Sequence, residues 1–347
     1  MSSAGLNGYA YRPPTSLRDA LTGVNHVFLT AHVDPDPDAL GSALGLYHVL
    51  RRYGWQPTVV CIGRLASFAH ELPGWEDVVQ FPSEPEEART RELMLSPGDA
   101  LVVCDTPTAT RMAGFYDVHR QVLSHCKVIV IDHHYTNDQF GTINFVQPTA
   151  AASAEVICDL LDDSGMEIDT PAAICLLTAL VTDTQSFRTD STTPHSLHWA
   201  ERLCAAGAQM YPIARNVFAN RTLGTHRLWG AALRTLRAED GIAWVQLTQK
   251  MFAETGSDQE DAEGLVDFLL SSREVKLAVV LRQQQGGETR VSLRTVPGVD
   301  ATRIAGAFGG GGHQRASGCT IFTDPEEAAE QLIPVARAEV LVSAATT

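Results

Sequence analysis

No stretch of this chain is apolar enough to cross a bilayer, and its start, MSSAGLNGYAYRPP, lacks the basic and apolar regions of a leader and reads as a loose arm. Membrane insertion and secretion are therefore not expected, and the expected compartment is the cytoplasm. Positive charge is scarce: 26 Lys and Arg face 41 Asp and Glu, a net charge of −15. That balance argues against binding long duplex nucleic acid, which rests on neutralising many phosphates, but leaves room for a small anion held by metal ions or a few arginines. Paired cysteines are missing as well. The seven cysteines, at positions 61, 104, 126, 158, 175, 204 and 319, form no CxxC, so zinc and thiol–disulfide chemistry are not indicated and they read as small core residues.

What is present is an ordinary globular balance, 44% hydrophobic and 19% charged, on 347 residues, a length that favours two cores over one. The first half alternates strand-like and helix-like runs. HVFLTA (26–31), TVVCI (58–62), ALVVCD (100–105) and KVIVID (127–132) are short, continuous apolar runs of the kind buried in a parallel sheet, whereas ALGSALGLYHVLRRYG (39–54), AEVICDLL and PAAICLLTALVTD have helical spacing. The expected fold is α/β with a doubly wound, largely parallel sheet. Residues 190–240 carry no strand signal and read as helices connecting two bodies. Beyond them IAWVQLT, VKLAVVLRQ, TRVSLRTV and GCTIF read as strands, with EDAEGLVDFLL and DPEEAAEQLIPVARAEV as helices, which makes a smaller C-terminal α/β domain. The expected division is an arm over 1–18, a first domain over 19–190, a helical linker over 191–225 and a second domain over 226–347.

AHVDPDPDALGSA (31–43) crowds His32, Asp34, Asp36 and Asp38 together. Like charges this close repel unless water screens them or a cation neutralises them, so the stretch is either a solvated acidic turn or part of a metal site. Other segment ends decide between the two. Asp105 ends the strand-like run in VVCDTP, Asp132, His133 and His134 end KVIVIDHH, and Asp183 closes an apolar helix in TALVTDTQSF. In an open α/β sheet, ligands bind in the crevice beyond the carboxyl ends of the strands. Singly, each residue has a structural explanation: a helix cap at Asp132 or Asp105, a helix-end charge at Asp183. Gathered at the ends of one domain's elements, they point to a metal centre. Carboxylates mixed with imidazoles suit manganese or magnesium better than structural zinc. Six such ligands, His32, Asp36, Asp38, Asp105, His133 and Asp183, are too many for one ion that must also hold water and substrate, and suit two ions sharing a bridging carboxylate, the arrangement used for in-line phosphoryl displacement.

HVDPDPDALGS, CDTP, DHH and TALVTDTQSF resemble, in order and spacing, the motifs of the DHH phosphoesterase superfamily, and GGGGHQRASG (309–318) resembles the glycine-rich signature of its DHHA1 domain. Across residues 20–340 the resemblance is strongest to the nanoRNase and pAp-phosphatase branch. It implies a catalytic DHH domain followed by a substrate-binding DHHA1 domain. It also implies that His32, Asp36 and Asp105 hold one manganese ion, and that Asp38, Asp105, His133 and Asp183 hold a second, with Asp105 as the bridge. His134 would meet the scissile phosphate and Asp132 would orient the neighbouring imidazoles. Asp34 falls where the family pattern varies and takes no ligand role, while Pro37 and Ser317 stand where a glycine and an alanine are commoner.

In the second domain the consecutive glycines Gly309, Gly310, Gly311 and Gly312 either let a backbone approach an anion closely or act as a hinge. His313 and Arg315 directly after them favour the anion. Arg294 in SLRT resembles a family phosphate contact and is otherwise an exposed strand charge. Arg188 in SFRT can reach substrate from the catalytic side or be a plain surface arginine. The implied substrates are short RNA, dinucleotides and pAp (adenosine 3′,5′-bisphosphate), with the second domain holding the 5′-phosphate of the departing nucleotide and a homodimer as a compatible assembly. A soluble cyclic-dinucleotide phosphodiesterase, a RecJ-like single-strand exonuclease, a family II inorganic pyrophosphatase and a non-catalytic nucleotide sensor share parts of the pattern. The exonuclease would need an OB-type domain and a basic track, neither of which the chain shows. The pyrophosphatase would not need the glycine arm.

Overall fold

The computed structural model describes residues 16–24, 26–89, 95–219 and 221–344, and the chain divides into two compact units between residues 220 and 221. In the first unit, β1 (His26–Thr30), β2 (Gln56–Ile62), β3 (Val79–Phe81), β4 (Ala100–Cys104), β5 (Lys127–Asp132) and β6 (Ile143–Val146) form a parallel sheet in the order β3-β2-β1-β4-β5-β6. Successive side chains leave a strand on opposite faces. Val27, Leu29, Val102, Cys104, Ile129 and Ile131 accordingly enter one core, and Phe28, Leu101, Val103 and Val130 enter the other. A strand buried on both faces shows no polar alternation, hence the continuous apolar runs. The strand order reverses between β1 and β4, and a ligand crevice opens at the carboxyl ends of such a pair.

Two helices on one face fix the geometry of that crevice. The helix Pro37–Arg52 begins at Asp36, whose carboxylate caps the Ala39 amide, with Pro37 at the first turn. The helix Thr170–Asp183 begins at Asp169, which caps Ala172 in the same way. Gly41 lies against the Cys175 carbonyl and Ala179, and Gly45 lies against the Leu176 side chain, so closely that a Cβ on either would collide. Position 41 meets 179 while 45 meets 176, so the helices are antiparallel, and the first turn of one, at Asp38, lies beside the last residue of the other, Asp183.

Residues 191–225, expected as a linker, pack into the units instead. The helices Pro194–Ala205 and Met210–Phe218 put Trp199, Leu203 and Ile213 into the first unit's core, and Leu223–Leu233 puts Leu228 and Trp229 into the second's. Their amphipathic spacing says only that one face is covered. Of the arm expected over 1–18, residues 1–15 lie outside the described residues, and Leu17, in the short helix Leu17–Ala20, is fully buried.

In the second unit, β7 (Arg237–Glu239), β8 (Ile242–Leu247), β9 (Leu277–Gln283), β10 (Thr289–Thr295), β11 (Gly311–His313) and β12 (Ala316–Ile321) form a mixed sheet in the order β11-β12-β10-β9-β8-β7, parallel between β8 and β9 and antiparallel elsewhere. The helices Ala301–Gly306 and Pro325–Ala344 cover one face, and Leu223–Leu233 and Leu265–Leu270 cover the other.

Candidate metal centre

The ends of β1, β4 and β5 bring the expected ligands together with those of the two antiparallel helices. Among the described residues, three groups have donor atoms close enough to hold a metal ion: His32, Asp36 and Asp105; Asp38, His133 and Asp183; and Asp105, His133 and His134. Asp105 belongs to two of them, and so does His133. His32 Nε2 stands 3.9 Å from Asp36 Oδ2 and 3.8 Å from Asp105 Oδ2, and His133 Nε2 stands 3.5 Å from both Asp105 Oδ1 and Asp183 Oδ2. Backbone carbonyls select the tautomers. Nδ1 of His32 donates to the Val33 carbonyl (2.9 Å) and Nδ1 of His133 to the Ala150 carbonyl (3.3 Å), which leaves each Nε2 on the carboxylate side, where the neutral ring offers its lone pair to a cation.

The carboxylates themselves are held by neutral donors. Asp38, 1% exposed, accepts the Ser153 and Ala154 amides at 2.7 and 3.2 Å and the Ser42 hydroxyl at 3.2 Å. These amides open the helix Ser153–Asp163, whose N-terminal partial charge favours an anion. Asp105, 3% exposed, accepts the Ser153 hydroxyl at 2.9 Å and takes a left-handed backbone conformation (φ 51°) while its amide still pairs with the Ile131 carbonyl. Burial and the neighbouring Asp105 push Asp38 up to about 7, burial and Asp36 push Asp105 up to about 7, and burial and Asp38 push Asp183 up to about 7. For His133 burial acts the other way, but Asp183, Asp38 and Asp105 outweigh it and raise the imidazole to about 9. Carboxylates crowded and buried to this degree are costly without a cation, and the oxygen and imidazole donors fit a hard or borderline divalent ion.

Asp132 does different work. Its fully buried carboxylate accepts the His133 and His134 backbone amides (2.8 and 3.2 Å) and His134 Nδ1 (2.7 Å) on Oδ1, and Asn137 Nδ2 (2.6 Å) on Oδ2. Burial would raise its pKa, but the His134 and Asn137 hydrogen bonds outweigh burial and hold it below the usual carboxylate value. Against the same opposing burial, the Asp132 hydrogen bond raises His134.

Sequence reasoning missed Ser153 and Asn137. A serine in AASAE and an asparagine in YTND carry no charge or period that marks them. Asp34, like Asp132, has no place in the three groups. Its Oδ1 accepts the Arg64 amide at 2.7 Å and its own amide donates to the Ile62 carbonyl at 2.9 Å, so it ties this loop to the exit of β2.

The remaining candidates take no part in the three groups. Arg188 is exposed, and its Nε donates to the Gln185 carbonyl at 2.7 Å within a turn in which Gln185, Ser186 and Phe187 all take left-handed conformations. In the second unit Arg294 pairs with Asp267 at 3.3 Å, and Arg315, exposed, donates to the Thr295 carbonyl at 3.3 Å. Gly311 and Gly312 of the glycine run lie in the edge strand β11. A Cβ on Gly310 would strike the Gly318 carbonyl and one on Gly312 the Ala316 carbonyl, whereas Gly311 faces open space. The side chain of His313 lies outside the described residues.

A doubly wound sheet with carboxylates and imidazoles gathered at its switch point defines an α/β protein whose site could hold metal ions, and comparison with known proteins makes the class specific. The chain belongs to the DHH family: the model of the family's N-terminal domain matches residues 26–180, and that of the DHHA1 domain matches residues 244–340. It is 33% identical over 314 residues to the bifunctional oligoribonuclease and PAP phosphatase NrnA of Thermus thermophilus, covering 90% of each chain. To the protein of the same description in Bacillus subtilis it is 26% identical, covering 89% of this chain and 93% of that one. The cyclic-di-AMP phosphodiesterase GdpP of Bacillus subtilis is 26% identical over 86% of this chain, which spans 45% of that protein. Among solved structures, an exopolyphosphatase-related protein from Bacteroides fragilis superposes with a TM-score of 0.85 at 25% identity, covering 94% of this chain and 96% of that one.

Proposed function

We propose that this protein is a cytoplasmic phosphoesterase that degrades short oligoribonucleotides to mononucleotides from a 5′-phosphorylated end and removes the 3′-phosphate of pAp. The observation that carries the reading is the sharing of Asp105 and His133 among three ligand groups at the switch point, in a chain that aligns nearly end to end with oligoribonuclease and PAP phosphatase relatives. His32, Asp36 and Asp105 would hold one Mn2+ and Asp38, Asp105, His133 and Asp183 another, with Mg2+ as the alternative ion. Such a pair supplies charge neutralisation for in-line displacement at phosphorus.

The protein's own groups do the rest. Asp132 fixes the proton on His134 Nδ1 and so turns Nε2 towards a phosphate oxygen or the leaving oxygen, where it can donate a proton. Ser153 keeps Asp105 from rotating, and the two carbonyl-bound imidazoles hold their lone pairs on the ligand side. The edge of Gly310, Gly311 and Gly312, with His313, Arg315 and Arg294, is assigned to a remote terminal phosphate, and Arg188 to the substrate near the catalytic groups. With a net charge of −15, long duplexes are not expected as partners. A homodimer is compatible with this reading.

The test is release of phosphate from pAp and of mononucleotides from a 5′-phosphorylated dinucleotide, each with Mn2+, with Mg2+ and after chelation. Metal-dependent turnover of both is expected, and its absence with either ion refutes the proposal. The relation to GdpP makes cyclic di-AMP the competing substrate. A cyclic dinucleotide cut faster than its linear form would favour that second reading.

A further inference from the structure

We propose that Tyr135 is the stacking platform for a nucleobase beside the reacting phosphate, and so the contact that separates nucleotides from base-free phosphates. This rests on reading the site as a nucleotide phosphoesterase. The metal ligands and His134 deal only in phosphate and charge, so discrimination of a base needs another group. Tyr135 directly follows His134, its Cα about 3.8 Å away along the chain, and is 74% exposed. The other large apolar side chains prominently exposed in the described part of the first unit, Leu197 and Tyr211, belong to the helices Pro194–Ala205 and Met210–Phe218, which contribute nothing to the metal centre.

The ring has a fixed root. The Asn137 amide donates to the His134 carbonyl at 3.1 Å, which closes a turn with Tyr135 and Thr136 at its corners. The Asn137 side chain binds Asp132 Oδ2 (2.6 Å) and the Thr106 carbonyl (3.2 Å), and the Asp138 amide binds the Pro107 carbonyl (3.0 Å). Neither the turn nor the core explains an aromatic residue at this position. Turn corners favour small polar residues, glycine or proline. Among the described residues, no hydrogen bond, ion pair or ring contact engages Tyr135, whereas Phe140 a little further along packs on the core. An aromatic ring that is anchored at its Cα and open at its faces is what base stacking uses, and it tolerates any base because every base has a π-face.

Calorimetric titration with 5′-AMP and with ribose 5-phosphate in the presence of Mn2+ isolates the base. The wild type should bind 5′-AMP about ten-fold or more tightly than ribose 5-phosphate. Tyr135→Ala should lose most of that ratio, and Tyr135→Phe and Tyr135→Trp should keep it. A wild-type ratio near one, or an undiminished ratio in Tyr135→Ala, overturns the proposal. Hydrolysis of the dinucleotide pApA is measured separately. A wild type that discriminates the base through Tyr135 yet cuts no dinucleotide supports the platform and refutes the enzymatic reading, whereas turnover with an unchanged ratio in Tyr135→Ala refutes the platform alone.

Discussion

Ser153 and Asp105 are joined by a 2.9 Å hydrogen bond from the serine hydroxyl, while the amide of the same serine binds Asp38 at 2.7 Å. One residue at the start of a helix thus clasps two buried carboxylates that would otherwise repel. Ser153→Ala removes the hydroxyl and spares the amide. Losing an outer partner of a ligand typically costs about ten- to a hundred-fold in metal affinity or activity. We expect a loss in that range, read by Mn2+ titration and by kcat/KM, with little change in Tm. Unchanged metal affinity and turnover would show that Asp105 needs no such support.

Asp105 itself tests whether the centre needs its shared ligand. Asparagine suits the left-handed backbone at this position better than alanine does, so Asp105→Asn is the cleaner change. Hydrolysis should be lost and the bound Mn2+ per chain should fall. Above pH 7 the metal-free variant should nevertheless melt higher than the metal-free wild type, because a buried carboxylate pushed up to about 7 no longer has to ionise there. Substantial turnover with manganese in this variant would refute the bridging assignment.

The pH dependence has a definite sign. In the metal-free fold Asp38, Asp105 and Asp183 are raised from 3.8 to about 7, and His133 is raised from 6.5 to about 9. Groups whose folded-state pKa is raised bind protons more tightly when folded. Their stabilisation is complete below the unfolded values and is lost as pH climbs through 7 for the carboxylates and through 9 for His133. The chelated protein should therefore lose stability from these groups between about pH 4 and pH 9. Mn2+ binding must expel the same protons, so the rise in Tm on adding Mn2+ should grow from pH 6 to pH 8. Melting curves at both pH values, with and without the ion, check this. A larger rise at pH 6 contradicts the assignment.

The strands, and the candidate ligands gathered at their ends, were legible because their signal is local: an apolar run that ends in Asp or His states both the strand and what stands at its mouth. Four strands could not be read this way. β3, β6, β7 and β11 are three or four residues long and form the edges of the two sheets, too short to show a period. The roles of Ser153 and Asn137 exist only once the helix Ser153–Asp163 and the turn after β5 have met the sheet. The glycine run had two sequence explanations, and the fold adds a third, since Gly310 and Gly312 are required by close approach to β12.

Gly41, about one helical turn after Asp38, offers a test that changes no ligand. A Cβ there would meet the Cys175 carbonyl, which is backbone and cannot swing away. Gly41→Ala should push the helix Pro37–Arg52 away from Thr170–Asp183, cost about 1–3 kcal/mol in stability and separate Asp38 from Asp183. Both a lower Tm and a weaker Mn2+ affinity are expected. A fall in Tm with metal affinity intact would mean that helix spacing does not set the ligand geometry.

The length of the substrate and its 5′ end separate a nanoRNase from a long-strand exonuclease. If Arg315 and Arg294 hold a terminal phosphate, binding energy remote from the reacting bond positions the scissile phosphorus, so losing that contact should lower kcat as well as raise KM. A dinucleotide with a 5′-phosphate should then be cut much faster than its 5′-hydroxyl counterpart, and Arg315→Ala should erase most of the difference. Arg294 already pairs with Asp267 at 3.3 Å and shares its charge, so Arg294→Ala should cost less than Arg315→Ala. On a chain with a net charge of −15, further phosphates add repulsion without adding partners, and rates should fall as the RNA lengthens beyond a few nucleotides. The measurement is a time course on labelled RNAs of two to about twenty nucleotides, with and without the 5′-phosphate, for the wild type and both variants. Rates that climb with length and ignore the 5′ end would replace the short-substrate reading with the exonuclease one.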